Sequence, residues 1–311
     1  MKRPTSDLIV THPLDAEDAA PMNAMRSALK PAKGVARGSE AREPYDALME
    51  HVQARNDVTF EADTVGAIPG IWVSPTGVRP DRAILHLHGG WFVLGTARAY
   101  RHLVGQIAAR VGVRAFVPDY RLAPEHPFPA AQDDALACFH GLEERGVQQT
   151  AITGDSAGGN LALGLASRIA AEGGSKARIV GVAAISPVTD LTLSGETYET
   201  RAEAEPLFTR PQVETLVHAY LGSADPKHPL ASPLHSQFSN LPPIRIDVGD
   251  DEVLLDDSRR YAERAVAAGA DARLHVWLGM PHGFPSNIGV LKASAHALDA
   301  IGAFLGERFA S

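Results

Sequence analysis

Residues 154–160 read Gly-Asp-Ser-Ala-Gly-Gly-Asn, and they stand between a strand-like run and a helix-like run. Residues 149–153 have the length and β-branched content of a buried strand, whereas residues 161–171 are a continuous run of helix formers. A Gly-x-Ser-x-Gly at a strand-to-helix turn is typical of a nucleophile elbow. The tight bend admits only small neighbours and holds the hydroxyl of Ser156 clear of the sheet, at the N-terminus of the next helix. The alternative is a glycine-rich turn in which Ser156 serves only as the helix N-cap.

The overall composition is that of an ordinary globular protein. The chain has 311 residues, of which 45% are hydrophobic and 21% are charged, enough for one large α/β domain or two small ones. The net charge is −8, and there is neither a basic patch nor a phosphate-binding Gly-x-x-x-x-Gly-Lys loop. We therefore expect no nucleic-acid partner.

Membrane and compartment signals are also weak. The apolar run Leu8 to Val10 is too short for a signal peptide even though Lys2 and Arg3 precede it, and no stretch is long enough to span a bilayer. The single cysteine, Cys138, lies in an apolar stretch and is expected to be a small buried hydrophobe. One cysteine excludes an internal disulfide and permits a reducing compartment, so we expect a cytoplasmic protein without membrane association.

Strand and helix patterns alternate along most of the chain. The expected strands are residues 58–63, 71–73, 83–87, 114–117, 149–153, 179–185, 244–248 and 272–277. The expected helices are residues 100–111, 130–145, 161–171, 254–268 and 290–309. Such alternation predicts an α/β fold with a mostly parallel central sheet flanked by helices.

Two segments interrupt this rhythm. Residues 1–55 are polar with helical character, and helices are expected to start at Asp15 and Ser39. Residues 188–241 are polar, rich in prolines and helical over 211–220. An insertion after a central strand can cover the crevice where α/β sheets bind ligands. We therefore expect a catalytic domain of residues 56–187 and 242–311 under a helical cap made of residues 1–55 and 188–241.

A serine nucleophile needs a base, and His282 is the best placed of the 13 histidines. It lies in the stretch Gly-Met-Pro-His-Gly-Phe at residues 279–284, directly after the last expected strand and on the same rim as Ser156. His275 lies within a strand and His296 within a helix, so both are poorly placed. The alternative is that His282 is an ordinary surface loop residue.

The acid that orients the base should follow the strand at 244–248, where residues 249–257 read Gly-Asp-Asp-Glu-Val-Leu-Leu-Asp-Asp. Five acidic residues leave the choice open. Asp256 and Asp257 begin a helix and are expected to stabilise its N-terminus. Asp250 and Asp251 occupy the turn itself, where a carboxylate could accept a hydrogen bond from the imidazole.

The oxyanion hole should come from a glycine-rich loop after an earlier strand, and His-Leu-His-Gly-Gly-Trp-Phe at residues 86–92 fits. His88 is expected to brace this loop by hydrogen bonds, without a catalytic proton role. The expected donors are the backbone amides of Gly89, Gly90 or Trp91, and Ala157.

Four motifs in this order resemble those of the bacterial hormone-sensitive-lipase-like esterases, in the branch whose elbow reads Gly-Asp-Ser-Ala-Gly. The motifs are His-Gly-Gly-Trp at 88–91, Asp-Tyr-Arg-Leu-Ala-Pro-Glu-His-Pro-Phe-Pro-Ala at 119–130, the elbow at 154–160, and Pro-His-Gly-Phe at 281–284. The resemblance extends from about residue 58 to the C-terminus. One departure is Trp91, which stands where the family usually has a third glycine.

The resemblance implies an α/β-hydrolase fold with a helical cap and no metal or cofactor. It further implies that the acid is the aspartate that opens an Asp-Glu-x-Leu turn, which is Asp251, and that residues 120–129 brace the oxyanion loop. Family members often dimerise through the sheet edge, so a homodimer is possible.

Together these residues predict a serine carboxylesterase that acts on small-molecule esters with short acyl chains. Ser156 would attack the carbonyl, His282 would carry the proton, and Asp251 would orient the imidazole. The same triad would also allow a lactone hydrolase or an amidase. A non-catalytic ligand-binding member of the fold is a further alternative, although such members lose the histidine that is present here.

Overall fold

The computed structural model describes residues 8–35 and 38–311. Its strands are β1 (Ile9–His12), β2 (Val58–Val65), β3 (Ile68–Pro75), β4 (Arg82–Leu87), β5 (Ala115–Pro118), β6 (Gln149–Asp155), β7 (Arg178–Ile185), β8 (Ile244–Gly249) and β9 (Ala272–Trp277). They form one nine-stranded sheet in the order β1-β9-β8-β7-β6-β4-β5-β3-β2. Neighbours pair in parallel except on the two sides of β3, which runs against the rest. The predicted α/β fold with a mostly parallel sheet is confirmed.

Helices cover both faces of this sheet. They are α1 (Ala16–Leu29), α2 (Arg42–Glu50), α3 (Ala97–Val111), α4 (Ala130–Glu144), α5 (Ala157–Glu172), α6 (Thr197–Thr200), α7 (Arg210–Leu221), α8 (Leu255–Ala267) and α9 (Lys292–Ala310). Short 3₁₀ turns occupy Lys30–Ala32, Ser39–Ala41, Pro233–His235 and Phe284–Asn287. Helices α3 and α9 contribute to one apolar core, and α4, α5 and α8 contribute to the other.

The central strands lie between these two cores, which explains their sequence. Residues 83–87 of β4 and all of β8 are buried, and one face of each strand is apolar. The other face also carries buried polar groups, which are His86 in β4 and the ion pair of Arg245 and Asp247 in β8. The carboxyl ends of β4, β6, β7, β8 and β9 then meet along one edge of the sheet. The loops that follow these strands carry the motifs identified in the sequence.

The prediction that residues 1–55 are helical is wrong for residues 9–12, which form strand β1. β1 pairs in parallel with β9 at the sheet edge, with Ile9 opposite Leu274 and His12 opposite Trp277. The His12 ring stacks on the Trp277 indole with a centroid separation of 3.8 Å. Residues 9–12 therefore belong to the central sheet. The terminal Lys2 and Arg3 lie outside the described residues.

The helix predicted to start at Asp15 is confirmed. The Asp15 side chain caps α1 by accepting a hydrogen bond of 2.8 Å from the backbone N–H of Glu17. The second predicted helix begins with the 3₁₀ turn at Ser39 and ends at Glu50. In the described part of the chain, no helix combines the length and apolarity needed to cross a bilayer.

The elbow depends on a very close approach between the first turn of α5 and the end of β4. A Cβ added at Gly158 would lie 1.9 Å from the carbonyl oxygen of Leu87 and 2.5 Å from that of His88. No side chain fits at that distance from backbone atoms, so glycine is required for α5 to start where it does. This contact fixes the nucleophile turn against the strand that leads into the glycine-rich loop.

Gly158→Ala is expected to lower the free energy of unfolding by about 2–3 kcal/mol or more, because backbone must move to admit the methyl group. Gly306→Ala is the matched control, since Gly306 also lies in a helix and its Cβ would meet nothing within 4 Å. The control should stabilise the protein by up to about 1 kcal/mol, as alanine favours a helix over glycine. Urea denaturation of both variants measures this, and equal stabilities would contradict the required contact.

Candidate active site

Ser156 has the strained backbone expected of a nucleophile at an elbow. Its φ is 54° and its ψ is −119°, which is a rare conformation for any residue other than glycine. Its backbone N–H donates to the Ile185 carbonyl at 2.8 Å, and its carbonyl accepts from the Asn160 N–H at 3.1 Å. These bonds hold Ser156 at the end of β6, directly before α5.

Ser156 and His282 line the same cavity, so the fold brings these two predicted residues together. The cavity volume is about 140 Å³, which is small beside the ~300–1,000 Å³ of pockets for drug-sized ligands. Most of its wall is apolar. The apolar wall includes Leu48 and Met49 of α2, Leu94 and Leu103, and Leu207, Phe208 and Leu216 of the insertion.

The carboxylate on the imidazole belongs to Glu252. Nδ1 of His282 lies 2.8 Å from Oε2 of Glu252, whose side chain is fully buried. The other oxygen of Glu252 accepts hydrogen bonds of 2.6 Å from the Ser186 hydroxyl and of 2.6 Å from the Gly249 N–H. Since a carboxylate can only accept, the neutral imidazole carries its proton on Nδ1 and leaves the lone pair on Nε2.

The charge environment favours the protonated imidazole. Burial by itself would lower the pKa of His282, but the charge and the hydrogen bond of the adjacent Glu252 carboxylate, together with the charges of Glu205 and Asp155, outweigh it. The net result is a pKa raised above the ordinary value of 6.5. A base of this kind is neutral only above that raised pKa, and it holds a transferred proton well.

The predicted contact of Asp251 with His282 is wrong. The chain turns at Asp250 and Asp251 after β8, and the Asp251 side chain points to Arg26 of α1, with which it forms an ion pair. Arg26 also donates to the carbonyl of Gly279 at 3.0 Å. The turn points the Asp251 side chain outward to α1 and the Glu252 side chain inward to His282.

Sequence reasoning missed Glu252 because nothing in a run of five acidic residues shows which side chain the turn buries. The other acids of the run have different partners. Asp250 accepts from the Gly279 N–H, and Asp256 accepts from the Thr197 N–H at 3.0 Å. Asp257 accepts from the N–H groups of Thr189 at 2.8 Å and Asp190 at 2.9 Å. The last two aspartates therefore hold the insertion rather than only stabilising a helix end.

The glycine-rich loop contributes fewer free amides than predicted. The Gly89 N–H donates to Oδ1 of Asp155 at 3.1 Å, so it is not available as an oxyanion donor and the prediction for Gly89 is wrong. No acceptor among residues 8–35 and 38–311 takes the amides of Gly90, Trp91 or Ala157. Gly90 and Trp91 both have positive φ, 114° and 53°, which turns the loop sharply at this point.

The Trp91 side chain forms part of the cavity wall. Trp91 is only 3% exposed, and its ring meets Phe208 edge to face at a centroid distance of 5.5 Å. Phe208 in turn contacts the His282 ring at 5.0 Å. The indole, a phenyl ring of the insertion and the imidazole therefore form a continuous aromatic surface.

His88 makes the bracing hydrogen bonds predicted for it. Its Nδ1 lies 2.8 Å from the Gly89 carbonyl, and its ring stacks on Tyr120 at 4.2 Å. The Tyr120 hydroxyl donates to the His88 carbonyl at 2.7 Å. Burial lowers the pKa of His88 to about 4, so the ring stays neutral.

Comparison with known proteins gives a consistent set of relatives. A family profile described as alpha/beta hydrolase fold matches residues 84–286. An acetyl-hydrolase of Streptomyces hygroscopicus is 38% identical over 78% of this chain and 81% of its own length. An esterase of Acinetobacter venetianus is 34% identical over 65% of this chain and 67% of its own length. The crystal structure of an esterase from the bacterial hormone-sensitive lipase family superposes with a TM-score of 0.88 at 33% identity, covering 93% of this chain and 98% of that one.

Titration of the His282 ring by NMR tests the assignment of its carboxylate partner. In Glu252→Gln the pKa of His282 is expected to fall by about one unit or more, because the charge that offsets burial is removed. Asp251→Asn is the matched control, since this side chain points to Arg26, and it should shift the pKa far less. A larger shift in Asp251→Asn than in Glu252→Gln would show that the acid turn is assigned one residue off.

Proposed function

Because this chain belongs to the bacterial hormone-sensitive-lipase-like esterases of the α/β-hydrolase fold and is a serine carboxylesterase, we propose that it hydrolyses short-chain acyl esters through an acyl-enzyme on Ser156. The observation that carries this proposal is the small apolar cavity shared by Ser156 and His282, with the buried Glu252 carboxylate on Nδ1 of the imidazole. Ser156, His282 and Glu252 are the proposed triad.

In the proposed acylation step, Oγ of Ser156 attacks the ester carbonyl while Nε2 of His282 takes its proton. The C–O bond to the alcohol then breaks as the imidazolium returns that proton to the leaving oxygen. Glu252 does not take up the proton but holds the tautomer and stabilises the imidazolium, which fits the raised pKa of His282.

The oxyanion is bound by backbone amides in this proposal. The donors are Ala157, directly after the nucleophile, and Gly90 or Trp91 of the glycine-rich loop. The α5 N-terminus adds a favourable dipole at the same place. Water then repeats the sequence on the acyl-enzyme, with His282 as base, and releases the carboxylic acid and Ser156.

The size and lining of the cavity support short acyl groups. A volume of about 140 Å³ leaves little room beyond a few carbon atoms on either side of the ester. The name of the Streptomyces hygroscopicus relative, acetyl-hydrolase, also supports a small acyl group. Long-chain triglycerides should therefore be poor substrates.

The domain division, the location and the assembly state are further proposals. Residues 13–35, 38–55 and 188–241 would form the cap over a domain made of β1 and residues 56–187 and 242–311, since α2 and the insertion both line the cavity. Cys138 is buried and free, which suits the reducing cytoplasm. A homodimer would show as twice the chain mass in light scattering.

Ser156→Ala is expected to reduce kcat/KM for p-nitrophenyl butyrate by at least about a thousandfold, because the group that forms the acyl intermediate is lost. A fluorophosphonate should label the wild type at Ser156 and leave Ser156→Ala unlabelled. Ser167→Ala, which removes a buried hydroxyl from the helix that follows Ser156, is the control and should keep full activity and labelling. Retained turnover in purified Ser156→Ala would overturn the proposed function.

Trp91→Gly is expected to widen the substrate range. The change keeps the backbone amide, suits the positive φ of this position and removes an indole from the cavity wall. The ratio of kcat/KM for tert-butyl over ethyl esters should rise about tenfold, since a pocket wall discriminates by roughly that factor per added group.

The control for Trp91→Gly is Trp72→Ala, which removes a buried indole that packs on Phe116 away from the cavity. Both variants should lose stability, by about 3–5 kcal/mol. Only Trp91→Gly should alter the ranking of esters. If both leave the ranking unchanged, the Trp91 ring does not limit the substrate.

A further inference from the structure

Glu205 is a buried carboxylate of the insertion that the mechanism above does not use. It lies between α6 and α7, and its side chain has no exposed surface. Its Oε1 accepts a hydrogen bond of 2.8 Å from the Leu207 N–H, and its Oε2 accepts one of 3.1 Å from the Val253 N–H. Hydrogen bonds to a carboxylate are strong, so Glu205 holds the backbone at both Leu207 and Val253 in place.

Each of the two donors adjoins a part of the active site. Val253 directly follows Glu252, the carboxylate on His282. Leu207 directly precedes Phe208, whose ring contacts both Trp91 and His282. One side chain therefore connects the turn that carries the acid to the aromatic wall beside the base.

A second bond from the insertion strengthens this connection. The Thr197 hydroxyl donates to the Val253 carbonyl at 2.6 Å, so both backbone polar groups of Val253 are bound by the insertion. The acid turn is thus held from the cap side as well as from the sheet.

The charge of Glu205 also acts on His282. Burial raises the pKa of Glu205 to about 7, the His282 charge lowers it and the Glu252 charge raises it. The charged groups that act on His282 are Glu252 from the acid turn, Glu205 from the insertion and Asp155 from the elbow, and all three favour the imidazolium. A carboxyl with a pKa of about 7 is partly ionised where His282 titrates, so removing the Glu205 charge is expected to lower the pKa of His282 by less than removing that of Glu252.

We propose that Glu205 is a positioning residue, which fixes the acid turn and the Phe208 wall relative to His282 and whose anion stabilises the imidazolium formed during turnover. This proposal rests on the proposed function, because it assumes that His282 is the base of ester hydrolysis. It assigns to the cap insertion a role in setting the base, beyond covering the cavity.

The test is the pH dependence of kcat/KM for p-nitrophenyl butyrate in Glu205→Gln and Glu205→Asp. Glu205→Gln removes the charge and leaves an amide N–H₂ facing one of the two backbone donors, so one bond is lost. We expect kcat/KM to fall about tenfold and the midpoint of the acid limb to move to lower pH by at least about half a unit. Glu205→Asp keeps the charge but is too short to reach both donors, so it should keep the wild-type midpoint and raise KM.

Asp257→Asn is the matched control. Asp257 is also fully buried, accepts two backbone N–H bonds from the insertion and has a pKa raised to about 7 by burial, but its two donors, Thr189 and Asp190, adjoin neither Glu252 nor Phe208. This variant should lower the melting temperature and leave the pH midpoint unchanged.

An unchanged midpoint in Glu205→Gln would overturn the proposal and reduce Glu205 to a structural residue like Asp257. If Glu205→Gln does not fold, Glu205→Asp decides alone, since a shifted midpoint or an unchanged KM contradicts the proposal. Failure of the proposed function would look different, because the wild type would then neither hydrolyse the ester nor take a fluorophosphonate at Ser156.

Discussion

The proposed active site depends on one carboxylate, that of Glu252, which is fully buried beside the His282 imidazole. A buried carboxylate costs several kcal/mol in lost hydration unless donors replace the water. Here the donors are Nδ1–H of His282, the hydroxyl of Ser186 and the N–H of Gly249. They follow or end β9, β7 and β8, respectively, and these three strands are adjacent in the sheet. The charge is satisfied only when the strands are in register, so the fold and the site stabilise each other.

The turn that carries Glu252 is also held from outside the sheet, by both segments that the sequence marks as a cap. Helix α1 reaches it through Arg26, which pairs with Asp251 and donates to Gly279 of the histidine loop. The insertion reaches it through Thr197 and Glu205, which bind the backbone of Val253. Arg26 thus connects the turn at Asp251 to the loop that carries His282. Helix α1 and the insertion therefore both hold the turn that carries Glu252.

The parts of this architecture that sequence predicts are those governed by local pattern. Apolar β-branched runs and their alternation with helical runs predicted the central sheet, since a buried strand needs apolar side chains toward the core on which it packs. The elbow could be predicted because backbone atoms approach Gly158 so closely that only glycine fits there. His282 could be predicted because it is the histidine in the loop that follows the last strand.

The parts that sequence did not predict are set by distant contacts. Whether Asp251 or Glu252 faces His282 depends on how the turn packs on α1 and on the loop that carries His282. The order of acidic residues in the sequence does not show which one it is. Strand β1 is only four residues long, and its place is set by pairing with β9 and by the stacking of His12 on Trp277. The loss of Gly89 as an oxyanion donor follows from a hydrogen bond to Asp155, which the fold brings beside it.

That bond to Asp155 holds the loop of the proposed oxyanion donors, Gly90 and Trp91, beside the elbow that carries Ser156. Asp155 directly precedes Ser156, so a single carboxylate ties the loop to the elbow, and the Tyr100 hydroxyl binds its other oxygen at 3.1 Å. Two residues after Gly89, Trp91 has a positive φ, which costs a non-glycine residue about 1 kcal/mol or more. Packing of the indole against Phe208 offsets this strain. The tryptophan in place of a third glycine therefore keeps a backbone amide at this turn and also narrows the cavity, so one residue would set both the geometry of the proposed oxyanion hole and the size of the substrate.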